Sequence, residues 1–245
     1  MTKIQSKTGE EMKKGKQVYE GKAKKVYETE NPDLFIQEFK DDATAFDATK
    51  RGTIQSKGIV NNAISKIMFE LLESKGIETH FVKQLNERDM LMKKVEIIPL
   101  EVTMRNIVAG GMSKLLGIEE GLVLSEPVLE YHYKDDSLHD PLINEYHAKA
   151  LKLANDEELE IIRKRSFEIN NILKAFFDHK GLDLVDFKLE FGRHKGKVLL
   201  ADEISPDTCR FWDKKTKKKL DKDRFRRDLG NVEDAYQEVL KRITS

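Results

Sequence analysis

Apolar residues recur along this chain with two different periods, and the changes of period divide it into elements. Strand-like runs at 25–29 and 34–39 flank the turn signal Asn31-Pro32-Asp33, which predicts an antiparallel meander starting near Val18. From 58 to 75 the residues Val60, Ile64, Ile67, Met68, Leu71 and Leu72 fall three and four apart and stop at Gly76, which predicts one amphipathic helix. Strand-like segments follow at 79–84, 90–94 and 100–107, with Pro99 expected to punctuate a crossing between two lobes. A longer helix is predicted before Gly181. Asn155 and Glu158 have capping-box spacing, and Leu159, Ile162, Ile169, Ile172, Leu173, Phe176 and Phe177 form one stripe for the core. Two more strands, 182–191 and 197–203, are joined by the polar turn 192–196 and read as a hairpin. The chain closes with a basic stretch, 214–227, and a helix near 232–243. The pattern predicts a tail over 1–16, a small sheet-rich lobe over 17–95 and a larger α+β lobe over 96–245.

Composition narrows the function classes. A chain of 245 residues can bury a core and form two lobes with a cleft between them. Lys plus Arg and Asp plus Glu each total 44, so no global field draws the chain to nucleic acid or to anionic lipid, and an anion must meet a local cluster. Cys209 is the only cysteine, which rules out an intramolecular disulfide and every multi-cysteine zinc pattern. No run approaches the ~18 apolar residues of a membrane span, and a cytoplasmic setting is expected.

The hairpin strand carries the densest candidate chemistry. Alternation puts Val185, Phe187, Leu189 and Phe191 on one face and Asp186, Lys188 and Glu190 on the other. One reading is the solvated face of an edge strand. The other is a site, because Asp202, Glu203 and Asp207 follow with Arg210 just beyond, and so many carboxylates need cations. Mg²⁺ takes one or two protein carboxylates and completes its shell with water and nucleotide phosphate. Glu190 and Asp202 suit that role, since hairpin strands lie roughly 5 Å apart. Lys188 and Arg210 suit anionic groups. Gly21-Lys22-Ala23-Lys24 precedes a strand but lacks the P-loop pattern and is bland alone. Arg105 ends an apolar strand before Gly110-Gly111, where it either grips a phosphate or caps a turn. His139 and His147 match no metal or nucleophile–base spacing.

Taken in order, YEGKAKKVY (19–27), FKDDATAFD (39–47), PLEVTMRNIVAG (99–110), HDPLIN (139–144), LVDFKLEFG (184–192), ADEISPDTCRFWD (201–213) and DKDRFRRDLGN (221–231) resemble the SAICAR synthetase family. The resemblance implies a two-lobed α+β fold related to ATP-grasp enzymes and kinases, with ATP in the cleft between the lobes. It implies an ATP-dependent ligase of purine synthesis that joins L-aspartate to the carboxylate of carboxyaminoimidazole ribonucleotide (CAIR). The products would be SAICAR, ADP and phosphate, formed through an acyl phosphate.

The resemblance also implies residue roles. Lys22 and Lys24 would contact the ATP phosphates, Lys134 the nucleotide, and Glu190 with Asp202 the Mg²⁺. Arg105 and Arg210 would take the ribonucleotide phosphate, with Asp186 and Lys188 beside its imidazole and carboxylate. Lys22, Lys188 and Asp186 are the residues expected to act in catalysis. Asp207 and Ser113 are expected as further substrate contacts, and Asp47, in the 41–47 loop, as a contact near the aspartate. Gly111 stands where some family members carry Ser, with Ser113 two residues on, so a phosphate contact is lost or moved. A homodimer is expected. The rivals are a small-molecule kinase on the same fold and a nucleotide-binding module without turnover.

Overall fold

Among the described residues, two antiparallel sheets hold every strand except one two-stranded hairpin. The computed structural model describes residues 12–45 and 49–245, so Asp47 and residues 1–11 of the expected tail lie outside the described residues. The expected meander forms β1 (Gln17–Glu20), β2 (Lys24–Glu28) and β3 (Leu34–Phe39), followed by a hairpin of β4 (Asp42–Ala45) and β5 (Lys50–Thr53). Helix α1 (Lys57–Ser74) fills the predicted span. Strands β6 (Phe81–Gln84) and β7 (Asp89–Lys93) then complete a first sheet ordered β1-β2-β3-β7-β6.

The second sheet starts with β8 (Glu96–Ile107), which leads through α2 (Gly110–Leu116) into β9 (Val123–Tyr133). A single 3-10 turn (Asp136–Leu138), β10 (Leu142–Ile143), α3 (Glu145–Ala150) and α4 (Asp156–His179) follow. The chain returns as β11 (Leu182–His194), β12 (Lys197–Ala201) and β13 (Cys209–Asp213), and ends in α5 (Asp223–Arg226) and α6 (Val232–Thr244). The order is β10-β9-β8-β11-β12, with β13 also paired to β11.

Local chemistry explains the long helix. Asn155 accepts from the Glu158 backbone N–H at 2.9 Å while the Glu158 carboxylate accepts from the Asn155 N–H at 3.0 Å, the reciprocal cap predicted above. The α4 stripe Leu159, Ile162, Ile169, Leu173 and Phe177 is buried in one core with Leu184, Phe187, Leu189 and Phe191 of β11. Each such side chain contributes roughly 1.5–3 kcal/mol when fully buried. That core fixes β11 from behind and leaves its other face to carry polar groups. The two sheets are stitched together at β12. His80 N–H donates to the Leu200 carbonyl at 2.8 Å, and Leu200 N–H donates to Glu78 at 3.1 Å.

Several expectations are corrected. β11 is an interior strand, hydrogen-bonded to β8 on one side and to β12 and β13 on the other, so an edge-strand reading of its polar face is excluded. Val185 does not share the apolar face of Phe187. The β11–β13 register shifts between Leu184 and Asp186, and Val185 falls in a separate small cluster with Ile107, Ala109 and Trp212. Pro99 marks no crossing: it lies inside β8, where the register against β11 slips between Glu190 and Gly192 and an N–H is not needed. The hairpin turn is also tighter than predicted, with only Lys195 and Gly196 between the strands.

Candidate active site

The polar row of β11 is placed by strand register. On β8, Arg105 lies directly opposite Asp186, and on β13 Arg210 lies directly opposite it from the other side. Arg105 Nη1 donates to Asp186 Oδ2 at 2.7 Å, and Arg210 Nη1 donates to both Asp186 oxygens at 2.9 Å. The carboxylate is buried between them. Both arginines are anchored a second time. Glu130 Oε2 accepts from Arg105 Nε at 2.8 Å, and Asp223 Oδ2 accepts from Arg210 Nε at 3.0 Å. Burial raises the Asp223 carboxyl, but Arg210 and Arg226 more than offset it and hold the group down to about 2. Glu130 is likewise held to about 2, burial being outweighed by His132 and Arg105.

Above this cluster runs the start of α2. Gly110 has φ +54, and a methyl group there would lie 2.5 Å from Arg210 Nη2; one at Gly111 would lie 3.8 Å from Arg105 Nη2. A side chain at 110 is excluded by both conformation and space. The backbone therefore comes close to two guanidinium edges, an arrangement that suits a bidentate oxyanion such as phosphate.

Four residues further along β11, at roughly 13 Å by strand rise, a second charged group forms around Glu190 and Asp202. Ala201 is opposite Glu190, so Asp202 is the first residue past the pairing. Its backbone is left-handed, φ +63, a strained state for a non-glycine residue. Lys134 Nζ donates to Glu190 Oε1 at 2.6 Å. Lys24, reaching over from β2, pairs with Asp202 and lies 3.4 Å from Glu203. Burial and the charge of Asp202 push the Glu190 carboxyl up to about 7 against Lys134 and Lys24. Asp202 goes the other way: burial raises it, yet Lys24 more than compensates and keeps it ionised. His80 lies beside Asp202 with its ring buried, and burial lowers it to about 4, so it is neutral there. Between the two groups Lys188 pairs with Glu101 at 2.5 Å, its side chain half exposed. Lys22, in the β1–β2 loop, reaches across to Asp136 at 2.8 Å.

Known proteins share this frame. The family model described as SAICAR synthetase matches residues 17–243. The chain belongs to the SAICAR synthetase family. A phosphoribosylaminoimidazole-succinocarboxamide synthase of Caldanaerobacter subterraneus subsp. tengcongensis is 59% identical over 232 residues, 95% of this chain and 99% of that one. The crystal structure of the synthase from Ehrlichia chaffeensis superposes with a TM-score of 0.92 at 48% identity, covering 94% of this chain and 98% of that one. A SAICAR synthetase in complex with ADP superposes with a TM-score of 0.89 at 52% identity, covering 92% and 97%. The chain is thus an ATP-dependent ligase of purine synthesis, and its mixed helix and sheet fold is that of the SAICAR synthetases.

Within this family member the residues singled out by sequence do not all converge. Lys24, Lys134, Glu190 and Asp202 form one group, and Arg105, Asp186 and Arg210 another, with Lys188 between. Ser113 joins neither, because its hydroxyl donates to the Ile118 carbonyl at 2.7 Å at the far end of α2. Asp207 joins neither group: its side chain is buried, with Lys57 at 2.8 Å and the Tyr236 hydroxyl at 2.7 Å, where it ties α1 to α6. Burial raises its carboxyl, but Lys222 and Lys57 drive it far below the usual range. Asp186 is the shared anchor of two arginines. Sequence reasoning missed Glu130 and Asp223. Asp223 sat in a stretch read as basic, and Glu130 in a strand whose period was not recognised.

The donor set fits Mg²⁺. Glu190 and Asp202 offer hard carboxylate oxygens close enough for one to shift the other, each now balanced by a lysine. Among the described residues no group of three or more His, Cys, Asp and Glu forms a protein-only metal cage. Two carboxylates, with the rest of the shell completed by water and phosphate oxygens, is the donor pattern of a nucleotide-bound Mg²⁺.

Proposed function

We propose that this chain condenses CAIR with L-aspartate at the expense of Mg-ATP, giving SAICAR, ADP and phosphate. One observation carries the reading beyond the family likeness: Asp186, which holds the guanidinium pair from the two neighbouring strands, and Glu190, beside Asp202, lie on the same face of β11 about 13 Å apart by strand rise, with Lys188 between them. A mononucleotide bridges such a span. Its phosphate would bind Arg105 and Arg210, and the carboxylate on its base would point past Lys188 toward the nucleotide end.

A carboxylate does not expel oxide. One of its oxygens attacks the γ-phosphorus of ATP, the bond to the β-γ bridging oxygen breaks, and ADP leaves. The aspartate amine then attacks the acyl carbon, phosphate departs with the transferred oxygen, and the amine proton passes to solvent or base. Lys24, Lys134 and Lys22 would hold phosphate oxygens, acting through position and charge rather than covalently. Mg²⁺, held by Glu190 and Asp202, would supply charge neutralisation at the transferred phosphoryl group.

The reading further places the nucleotide between lobes 17–95 and 96–245, Asp47 near the aspartate, and the protein in the cytoplasm as a homodimer. Among the described residues no helix is long and apolar enough to cross a membrane. The test is ADP release with each component omitted in turn. We expect release only with CAIR, aspartate and Mg²⁺ together; equal release without aspartate would favour a small-molecule kinase and overturn the ligase reading.

A further inference from the structure

The Arg105–Arg210 pair is surrounded by more negative charge than it carries. Glu130, Asp186 and Asp223 face the two guanidiniums, while Arg226 at 2.5 Å and Arg227 at 3.6 Å lie on the outer side of Asp223 and His132 lies 3.5 Å from Glu130. A clamp that worked by net positive field would not be built this way. The contacts are instead directional. Arg105 turns Nε and Nη2 to one oxygen of Glu130, both at 2.8 Å, and Nη1 to Asp186. Arg210 turns Nε to Asp223 and Nη1 to Asp186. What remains is Arg210 Nη2 and one hydrogen each of Arg105 Nη1 and Nη2; Arg210 Nη2 and Arg105 Nη2 are the atoms that a methyl group added at Gly110 or Gly111 would meet first.

We propose that Glu130 and Asp223 are positioning residues that fix the rotation of Arg105 and Arg210, so that the N–H groups left over by the three carboxylates are aimed together at the ribonucleotide phosphate. The inference rests on the reading of the two arginines as the ribonucleotide phosphate clamp. Its physical basis is that a guanidinium is a planar fork on a long stem, and an oxyanion rewards it only when the fork is aimed. Asp186 alone leaves each guanidinium a pivot, whereas a second carboxylate on the Nε side removes it. Asp223 is itself oriented, since Asp221 Oδ1 accepts from its backbone N–H at 2.7 Å and Arg226 holds its other oxygen.

Field and positioning predict opposite signs. Removing a carboxylate makes the surroundings more positive, which would tighten phosphate binding if field dominated; loss of aim would weaken it. The experiment compares Glu130→Gln and Asp223→Asn with the parent enzyme, measuring KM for CAIR, ATP and aspartate, kcat, and the inhibition constant of inorganic phosphate against CAIR. We expect the CAIR KM and the phosphate inhibition constant to rise together, by about 5- to 10-fold, which is about 1–1.4 kcal/mol by RT ln of the ratio, with the ATP KM and kcat within about twofold. A merely structural role would lower the apparent kcat with the amount of folded enzyme and leave every KM and the phosphate inhibition constant unchanged. An unchanged or lowered CAIR KM in Glu130→Gln overturns the proposal, and that variant decides alone if the deeply buried Asp223→Asn fails to fold, because the Glu130 side chain is partly exposed. Arg105→Ala and Arg210→Ala in the same assay separate the two readings. If they leave the CAIR KM unchanged, the clamp itself falls and this inference with it. If they raise it while Glu130→Gln does not, only the positioning role falls.

Discussion

Asp186 and Glu190 stand on the same face of β11, yet their counter-charges come from different places. Around Asp186 the partners are cross-strand arginines of one sheet, set by register, and each is held again by a second carboxylate. Around Glu190 and Asp202 the partners are lysines that come from afar, Lys24 from the first sheet and Lys134 from beyond β9. Arginine offers a rigid fork, lysine a point charge on a flexible stem. The first arrangement is fixed by register and by a second carboxylate on each arginine; on the function proposed above, the second would be provisional, because the lysines that neutralise Glu190 and Asp202 would also be wanted by nucleotide phosphate. The two ways of holding charge thus meet β11 about 13 Å apart by strand rise, at Asp186 and at Glu190.

The largest expected effect tests that contrast in the folded state without ligands. Arg210→Ala leaves Asp186 and Asp223 short of a partner in the interior, where their side chains are 4% and 2% exposed. Breaking a buried pair from one side costs about 3–5 kcal/mol, on the order of 10 °C in Tm for a chain of this size. Lys134→Ala removes a lysine whose side chain is 39% exposed and leaves Glu190 free to take up a proton, so the loss should be about 1 kcal/mol or less. Thermal unfolding of both variants decides. Equal losses would show that the two ends do not differ in how their charges are held.

The sequence carried this contrast only in part. Strand alternation put Asp186, Lys188 and Glu190 on one face, and the capping box and apolar stripe of α4 placed the helix that supports β11. These are local signals, and local signals survive in one sequence. Register is not local. Nothing along the chain says that Arg105 and Arg210 both end opposite Asp186, or that a bulge at Leu184–Asp186 diverts Val185 from its expected face. The same limit explains Asp207, whose proximity to Asp202 in sequence suggested the site but whose carboxylate turns inward to Lys57. β9, β10 and β13 escaped recognition because each is short or mixed in polarity and takes its form from neighbours already in place.

A middle-sized effect sharpens the Glu190–Asp202 end. With the Glu190 carboxyl at about 7, a metal that binds the carboxylate must displace a proton below that pH. The Mg²⁺ concentration for half-maximal turnover should therefore rise roughly tenfold between pH 8 and pH 6. Glu190→Gln should need more Mg²⁺ at every pH and lose this part of the dependence. An identical pH slope in parent and variant would take Glu190 out of the metal site.

The smallest effect is a difference in sign between the two ends, read from metal-free melting curves. The Glu190 carboxyl is raised from 4.5 to about 7 in the folded protein, so between those values the folded state binds more protons than the unfolded one. Stability from this group is fully present below about 4.5 and is lost as pH rises through 7. Glu190→Gln cannot suffer that loss. Its Tm relative to the parent should therefore climb between pH 5 and pH 8, by about 2–4 °C if ~1 kcal/mol survives the missing pair with Lys134. Asp223 has the opposite shift, from 3.8 down to about 2, so its stabilisation is already complete above 3.8 and lost only as pH falls toward 2. Asp223→Asn should accordingly melt below the parent by an amount that is constant from pH 5 to pH 8. A flat difference for Glu190→Gln over that range would mean that its carboxylate and Lys134 form a settled ion pair, and that the nucleotide end holds its charges as rigidly as the arginine end does.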